Sequence, residues 1–230
     1  MCAVFVIGRN GSMEGYIMKT KKVDSMLLAQ LALLIAIEII MKLTGLGSVP
    51  VGPLYMSFLT LPIAVGAMMI GPVGGIVLGA VFGILSYWDA ITGGSAMGSI
   101  LFQISPVHSF ILCIVTRILM GLCTGYIFKA VRNVDKTKTW SYFVGAVSAP
   151  LLNTLFFMGY LCIAFYNTEY VQGMVSSVGA TNPFTFIALL VGVQALIEAG
   201  VCGILGGIVC KALATAMRGR ILVDERKAKA

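Results

Sequence analysis

The stretch SPVHSFILCIVTRILMGLCTGYIFKAVR, residues 105–132, is long and apolar enough to cross a lipid bilayer as a helix, yet it carries an arginine at position 117. At about 1.5 Å of rise per residue, Arg117 lies roughly 18 Å from the start of the stretch, close to the middle of a hydrocarbon layer about 30 Å thick. A charge at that depth costs roughly 2.5–3.5 kcal/mol. The guanidinium is therefore predicted to face a bundle interior or a cavity rather than lipid.

The composition of the whole chain places this stretch in a membrane protein. Of the 230 residues, 59% are hydrophobic and 11% are charged, whereas a soluble domain is about 25% charged. Fourteen of the sixteen lysines and arginines lie in the first 23 residues, in the loop after Phe128 and in the tail from Lys211. Basic residues beside membrane spans mark cytoplasmic segments. No basic groove with interleaved aromatic residues accompanies them, so no nucleic-acid partner is expected.

The hydrophobic runs predict an all-α integral membrane protein, a six-transmembrane-helix bundle with both termini in the cytoplasm (N-in/C-in). The loops 44–53, 89–104 and 166–182 lack Lys and Arg, which places them on the opposite side. We expect one membrane domain over residues 19–218, a leader or mis-called start over 1–18 that is disordered, and a cytoplasmic tail over 219–230. A Gly-Pro turn at 71–74 joins the second and third segments. The six segments are 25–43, 54–70, 73–88, 105–130, 140–165 and 183–217.

The first predicted helix has two different faces. Ala29, Ala32 and Ala36 recur at helical spacing and form a stripe of small residues. Small residues let another membrane helix approach closely. Glu38 lies on the opposite face, and Lys42 follows it by one turn as an i,i+4 pair.

Several polar and aromatic side chains of the predicted helices could line one cavity. A planar guanidinium can hold a carboxylate through two parallel hydrogen bonds. Amide groups and a phenol complement hydroxyl and amide groups of a ligand. This chemistry predicts a small organic anion with hydrogen-bonding groups as the substrate. The candidate binding residues are Arg117, Asn153, Tyr160, Gln194 and, at the rim, Trp88.

The same charges also permit a purely structural interpretation. Glu38, Lys42, Arg117 and Glu198 sum to zero charge, so they could form a neutral network that fixes the register of the helices. Under that interpretation Arg117 faces Glu198 rather than a ligand.

An ordered set of motifs resembles a known family. The motifs are the small-residue pattern ALLIA with Ala32 and Ala36, the Gly-Pro turn, and the stretches LPIAVGAMMIGPVGGIVLGAVFGILS, TRILMGLCTGYIF, PLLNTLFFMGYL and ALIEAGVCGILGGIV. Over residues 18–218 the chain resembles the substrate-binding S component of an energy-coupling factor (ECF) vitamin transporter. The pantothenate-type branch of that family is the most similar.

The resemblance implies a binding subunit of an importer, without enzymatic activity and without a cofactor, in the cell (cytoplasmic) membrane. Such a component captures a vitamin from outside and docks through Ala29, Ala32 and Ala36 on an ECF transmembrane scaffold subunit that carries two cytoplasmic ATPases. Glu38 then points inward and joins the candidate substrate-binding residues. The chain has no G-x-x-x-x-G-K-[ST] loop, so the ATPases are expected to be partners.

Other functions remain open on the sequence. A proton-coupled secondary transporter would use Glu38 and Glu198 as proton carriers, although no inverted repeat is visible. An intramembrane protease would need Ser95 as nucleophile and His108 as base. A scaffold protein would use the small-residue faces without a ligand, and an S component could instead carry riboflavin or a cobalamin precursor.

Overall fold

The computed structural model describes residues 25–45, 47–51, 54–135 and 139–216. The predicted leader and the predicted cytoplasmic tail lie outside these residues. Within them the chain is helical apart from one short β-hairpin, and a π-helical segment, Ile111–Val115, joins α5 to α6. The helices are α1 (Ser25–Leu43), α2 (Thr60–Met69), α3 (Pro72–Thr92), α4 (Ala96–Ile104), α5 (Pro106–Phe110), α6 (Thr116–Val134), α7 (Trp140–Phe165), α8 (Glu169–Ser177) and α9 (Pro183–Ala216).

Five helical stretches in the described part of the chain are long and apolar enough to cross a membrane. Each coincides with a predicted hydrophobic segment, and the ends of α1 and α7 agree with the prediction to the residue. The loops predicted at 89–104 and 166–182 contain the short helices α4 and α8. The five stretches are Ser25–Leu43, Pro72–Thr92, Pro106–Val134, Trp140–Phe165 and Gln194–Leu213.

The second predicted segment, 54–70, is not one continuous helix. Its first residues form strand β2 (Leu54–Ser57), which pairs antiparallel with β1 (Ser48–Val51). Only then does α2 begin, and its ten residues rise about 15 Å. All of them except Leu61 are buried, and α2 contacts α1, α3, α6, α7 and α9. The helix lies at the centre of the bundle, where protein rather than lipid surrounds a short, interrupted span.

Helices α3 and α6 pack backbone against backbone. A Cβ atom on Gly75 would lie 2.2 Å from the carbonyl oxygen of Gly121, and one on Gly125 would lie 2.6 Å from the Cα atom of Pro72. No side chain fits at such distances, so only glycine permits this contact. Gly121 and Gly125 therefore permit the close approach of α3 and α6.

The predicted Gly-Pro turn separates α2 from α3. Gly71 has φ +96°, a conformation that L side chains rarely adopt, and Pro72 stands at the start of α3. Proline is favoured at the first helical position because an N–H there has no acceptor within the helix, so proline loses no hydrogen bond.

Two hydrophobic clusters surround the interior. The first is centred on α2 and includes Phe82 of α3. The second joins α4, α7, α8 and the beginning of α9. Residues from both clusters line one cavity, so this cavity lies between them.

Helix α1 packs on α2 and α3 with one face. Glu38 is the buried residue of this helix, whereas Ala29, Ala32 and Ala36 are exposed. The two predicted faces of α1 therefore lie as expected, with the acid directed inward and the alanines directed outward.

Candidate functional site

A cavity of about 300 Å³ lies among α1, α3, α4, α5, α6, α7, α9, the π-helical segment and the end of the hairpin. This volume is at the lower limit of ligand sites in proteins, which span roughly 300–1,000 Å³. The cavity therefore suits a small molecule. The charged and amide side chains in its lining are Lys42, Asp89, Arg117, Asn153, Gln194 and Glu198.

Arg117 is 8% exposed and folds back onto its own helix. Its Nη1 donates hydrogen bonds to the carbonyl oxygens of Leu112 and Cys113, both at 3.2 Å. The π-helical segment contributes to this arrangement, because the N–H of Thr116 bonds to Ile111, five residues back. An α-helix would direct that N–H to Leu112, four residues back. Because the backbone hydrogen bonds are shifted in this way, the carbonyl oxygen of Leu112 is available to side-chain donors.

Two aromatic rings flank the guanidinium. The Cζ atom of Arg117 lies 4.3 Å from the ring centroid of Phe82 and 5.1 Å from that of Phe157. A cation above an aromatic face is attracted by the ring's electrons, by about 0.5–2 kcal/mol. The Nε atom of Arg117 is buried and has no hydrogen-bond partner among the described residues. Two backbone carbonyl oxygens and two aromatic rings therefore contact the guanidinium, and its Nε–H still lacks a hydrogen-bond acceptor among the described residues.

Glu198 of α9 also lines the cavity and is 3% exposed. Its Oε1 accepts hydrogen bonds from the backbone N–H of Ser57 at 2.6 Å and from Nε2 of Gln194 at 3.4 Å. Gln194 and Glu198 therefore lie on the same face of α9. Arg117 and Glu198 form no ion pair in the described structure, so the four-residue charge network of the structural interpretation is not formed there.

Lys42 forms an ion pair with Asp89 of α3 instead of the predicted pair with Glu38. Both partners line the cavity, so the pair joins the ends of α1 and α3 beside it. Glu38 is fully buried, and neither of its carboxyl oxygens has a hydrogen-bond partner in the described part of the chain. Lys42 reaches α3 because it stands in the last turn of α1, where the ends of the two helices meet.

The structure brings three of the six predicted binding residues to the cavity, namely Arg117, Asn153 and Gln194. Tyr160, Trp88 and Glu38 lie outside its described lining. The hydroxyl of Tyr160 is hydrogen-bonded to Nδ1 of His108 at 2.9 Å, and the Trp88 side chain is 65% exposed.

The protease interpretation lacks its required contact. Ser95 caps the start of α4, because its Oγ accepts a hydrogen bond from the N–H of Gly98 at 3.2 Å. His108 bonds to Tyr160 rather than to a serine. The nucleophile–base hydrogen bond on which such catalysis depends is therefore not formed between these two residues.

Sequence reasoning missed several residues of the cavity. Phe82 and Phe157 look like ordinary core residues, and Ser57 and Ser109 look like ordinary polar residues of helix ends. The hydroxyl oxygen of Ser57 is buried without a partner in the described structure. Buried polar atoms nearly always have partners, so its position in a residue of the cavity lining is itself a sign of a ligand site.

Most of the chain matches the model of a known protein family. Residues 27–210 match the family model described as "ECF transporter, substrate-specific component". The match covers about four fifths of the chain and includes every residue of the cavity lining, from Lys42 to Glu198. No curated protein matches the sequence.

Proposed function

The chain belongs to the family of ECF transporter substrate-specific components, and on this premise we propose that it binds a small carboxylate vitamin in the cavity beside Arg117 for ATP-driven import. One observation carries the proposal. A guanidinium is buried at the cavity wall with no carboxylate partner among the described residues. A buried charge of this kind calls for a counter-ion, and a ligand carboxylate supplies one.

Pantothenate is the substrate that we propose. It carries one carboxylate for Arg117, and its amide and hydroxyl groups match the amides of Asn153 and Gln194 in the lining. The small cavity volume favours a molecule of this size over larger vitamins. The similarity of the motifs to the pantothenate-type branch supports the same choice. We assign no ligand contact to Tyr160, Trp88 or Glu38.

In the membrane, we propose that the hairpin and α2 together act as the second of six crossings. Both termini then lie in the cytoplasm. The support is the distribution of lysine and arginine, which are absent from the segments 44–53, 89–104 and 166–182.

We further propose that the exposed stripe of Ala29, Ala32 and Ala36 docks on a transmembrane scaffold subunit. Small side chains permit the close approach on which helix association in a bilayer depends. The scaffold subunit would carry two cytoplasmic ATPases, because this chain has no phosphate-binding loop of its own.

Thermal shifts of the purified chain in detergent test the substrate. The panel consists of pantothenate, riboflavin, folate, thiamine, biotin, cobalamin and queuosine precursors. A ligand at 100 times its Kd stabilises the folded chain by about 2.7 kcal/mol, which raises the melting temperature. We expect a shift with pantothenate. A shift with another vitamin would identify that vitamin as the substrate instead of pantothenate. The absence of a shift with every member of the panel would contradict the proposal.

A further inference from the structure

Glu198 presents a carboxylate to the cavity with only part of its hydrogen-bonding capacity used. Among the described residues its partners, Ser57 and Gln194, both reach Oε1. Glu198 forms no ion pair with a lysine or arginine of the described residues. An ionised carboxylate only accepts hydrogen bonds and has about four lone-pair sites. Oε2 is therefore available for a donor on a ligand.

The surroundings of Glu198 strengthen this conclusion. Ser57 lines the same cavity, and its hydroxyl oxygen is buried and has no partner among the described residues. Burying polar groups without partners costs stability. A ligand that donates to Glu198 and contacts the Ser57 hydroxyl recovers part of that cost.

Arg117 has the opposite chemistry in the same cavity. A guanidinium only donates hydrogen bonds, and Nε of Arg117 still lacks an acceptor in the described structure. The cavity therefore offers a donor-only group on α6 and an acceptor-only group on α9, within a volume of about 300 Å³.

We propose that Glu198 is a specificity-determining residue, which binds an N–H or O–H donor on the part of the ligand away from the carboxylate held by Arg117. The inference rests on the proposed function. The ligand class is a small monoanion with donor groups away from its acid, and a second acidic group is rejected by repulsion from Glu198. For pantothenate, the donors at the end away from the carboxylate are its two hydroxyls.

A structural role for Glu198 is the competing explanation. Its bond with the Ser57 N–H joins the end of β2 to α9, and this bond alone would hold the hairpin in place. Glu198→Gln separates the two roles. The amide keeps one oxygen to accept from the Ser57 N–H, but it places an NH2 donor where the second carboxylate oxygen faced the cavity. Glu198→Ala removes both functions.

The experiment measures the affinity of wild type and Glu198→Gln for pantothenate and for two analogues, each with one hydroxyl replaced by hydrogen. We expect Glu198→Gln to melt close to wild type and to bind pantothenate roughly 10- to 150-fold more weakly, the range for a hydrogen bond to a charged group. The analogue that lacks the hydroxyl bound by Glu198 should bind wild type more weakly than pantothenate does. Glu198→Gln should bind that analogue and pantothenate with equal affinity. Such non-additivity identifies direct contact.

Glu169→Gln is the matched control, because it makes the same substitution at an exposed acid of α8. It should bind pantothenate like wild type. The inference is overturned if Glu198→Gln binds pantothenate like wild type, if it still distinguishes the analogues, or if it melts as low as Glu198→Ala. If wild type responds to another vitamin of the panel, the same variants are measured with that vitamin and with an analogue of it that lacks a donor group. The inference is then overturned if removal of the donor group weakens binding to wild type and to Glu198→Gln by the same factor. A wild-type chain that binds no vitamin of the panel overturns the proposed function, and the inference with it.

Discussion

A Cβ atom on Gly79 would lie 2.4 Å from the carbonyl oxygen of Arg117. The backbone of α3 therefore touches α6 at the very residue that carries the buried charge. One turn further along α3, the Phe82 ring packs on the Arg117 guanidinium. The position of the charge and the approach of the two helices depend on the same contact.

Gly79→Ala tests this dependence. The added methyl group must push α3 away from α6, which costs about 1–3 kcal/mol and moves Phe82 away from Arg117. We expect a lower melting temperature and weaker ligand binding, measured by thermal unfolding and ligand titration. Gly159→Ala is the control, because a Cβ atom there meets nothing within 4 Å. Equal behaviour of the two variants would show that the α3–α6 contact does not position the site.

Arg117→Ala should abolish binding of an anionic ligand while folded protein is still recovered. The guanidinium is the cationic group that we assign to the ligand's carboxylate, and removal of a partner from a buried charge pair costs about 3–5 kcal/mol. Calorimetric titration of the identified vitamin measures the loss. Arg117→Lys should recover only part of the affinity, because lysine lacks the planar fork that holds both oxygens.

Lys129→Ala provides the comparison for Arg117→Ala. It also removes a positive charge from α6, but at an exposed position outside the cavity lining. Its affinity should equal that of wild type. An unchanged affinity in Arg117→Ala itself would exclude this residue as the anchor of the carboxylate.

The ion pair between Lys42 and Asp89 should affect ligand exchange more than stability. Its side chains are 22% and 19% exposed, so solvent screens part of the attraction. A double-mutant cycle with Lys42→Met and Asp89→Asn should give a coupling energy of about 0.2–1 kcal/mol. Ligand dissociation, followed by stopped flow, should be faster in either variant, because the ends of α1 and α3 are no longer joined beside the cavity.

The charge-swapped double variant, Lys42→Asp with Asp89→Lys, should restore the wild-type dissociation rate in large part. Dissociation that stays as fast as in the single variants would mean that Lys42 or Asp89 contacts the ligand directly.

Ala32→Trp and Ala36→Trp should leave ligand affinity intact and prevent transport. Both residues are exposed on α1 and lie outside the cavity lining, so an indole there obstructs only the proposed scaffold contact. Uptake by cells with the complete importer, and co-purification with the scaffold subunit, provide the measurements. Ile163→Trp on α7, at a side chain that is 83% exposed, controls for a large aromatic residue on the outer surface. Normal uptake by both alanine variants would exclude the stripe as the docking face.

The chain alone should not accumulate its ligand in vesicles under a proton gradient. Under the proposed function the chain depends on ATPase partners. A proton-coupled transporter would instead use a buried acid such as Glu38, whose oxygens have no partner in the described structure. Radiolabelled uptake into proteoliposomes separates the two functions. Accumulation that disappears in Glu38→Gln would favour the proton-coupled transporter.

Much of the helical framework follows from hydrophobicity. Helices α1 and α7 are continuous apolar runs with polar residues at both ends, so their limits are visible in the sequence. The run 54–70 is equally apolar, but hydrophobicity does not determine backbone conformation, and its first residues pair with Ser48–Val51 as a strand. The short helices α4 and α8 are stabilised by packing in the second hydrophobic cluster, which no local pattern reveals.

The candidate site was predictable only in part. Arg117, Asn153 and Gln194 were identified because polar groups in a membrane helix face the protein interior. The ion-pair partner of Lys42 was not predicted correctly. The i,i+4 spacing favours Glu38, whereas the actual partner, Asp89, is 47 residues away in the sequence. The π-helical segment 111–115 was also missed, since no glycine or proline in ILCIV marks it.

Under the proposed import function, the shortness of α2 sets the distance that a bound ligand travels to the side of the Gly71 turn. Ser57, at the edge of the cavity, lies just before this helix, and the Gly71 turn follows its other end. Ten helical residues, about 15 Å, separate the two ends, which is half the thickness of the hydrocarbon layer. A molecule held beside Glu198 is therefore separated from the side of the Gly71 turn by the length of one short helix. To release the ligand there, the bundle needs to open or shift by that length, and not by the full width of the membrane.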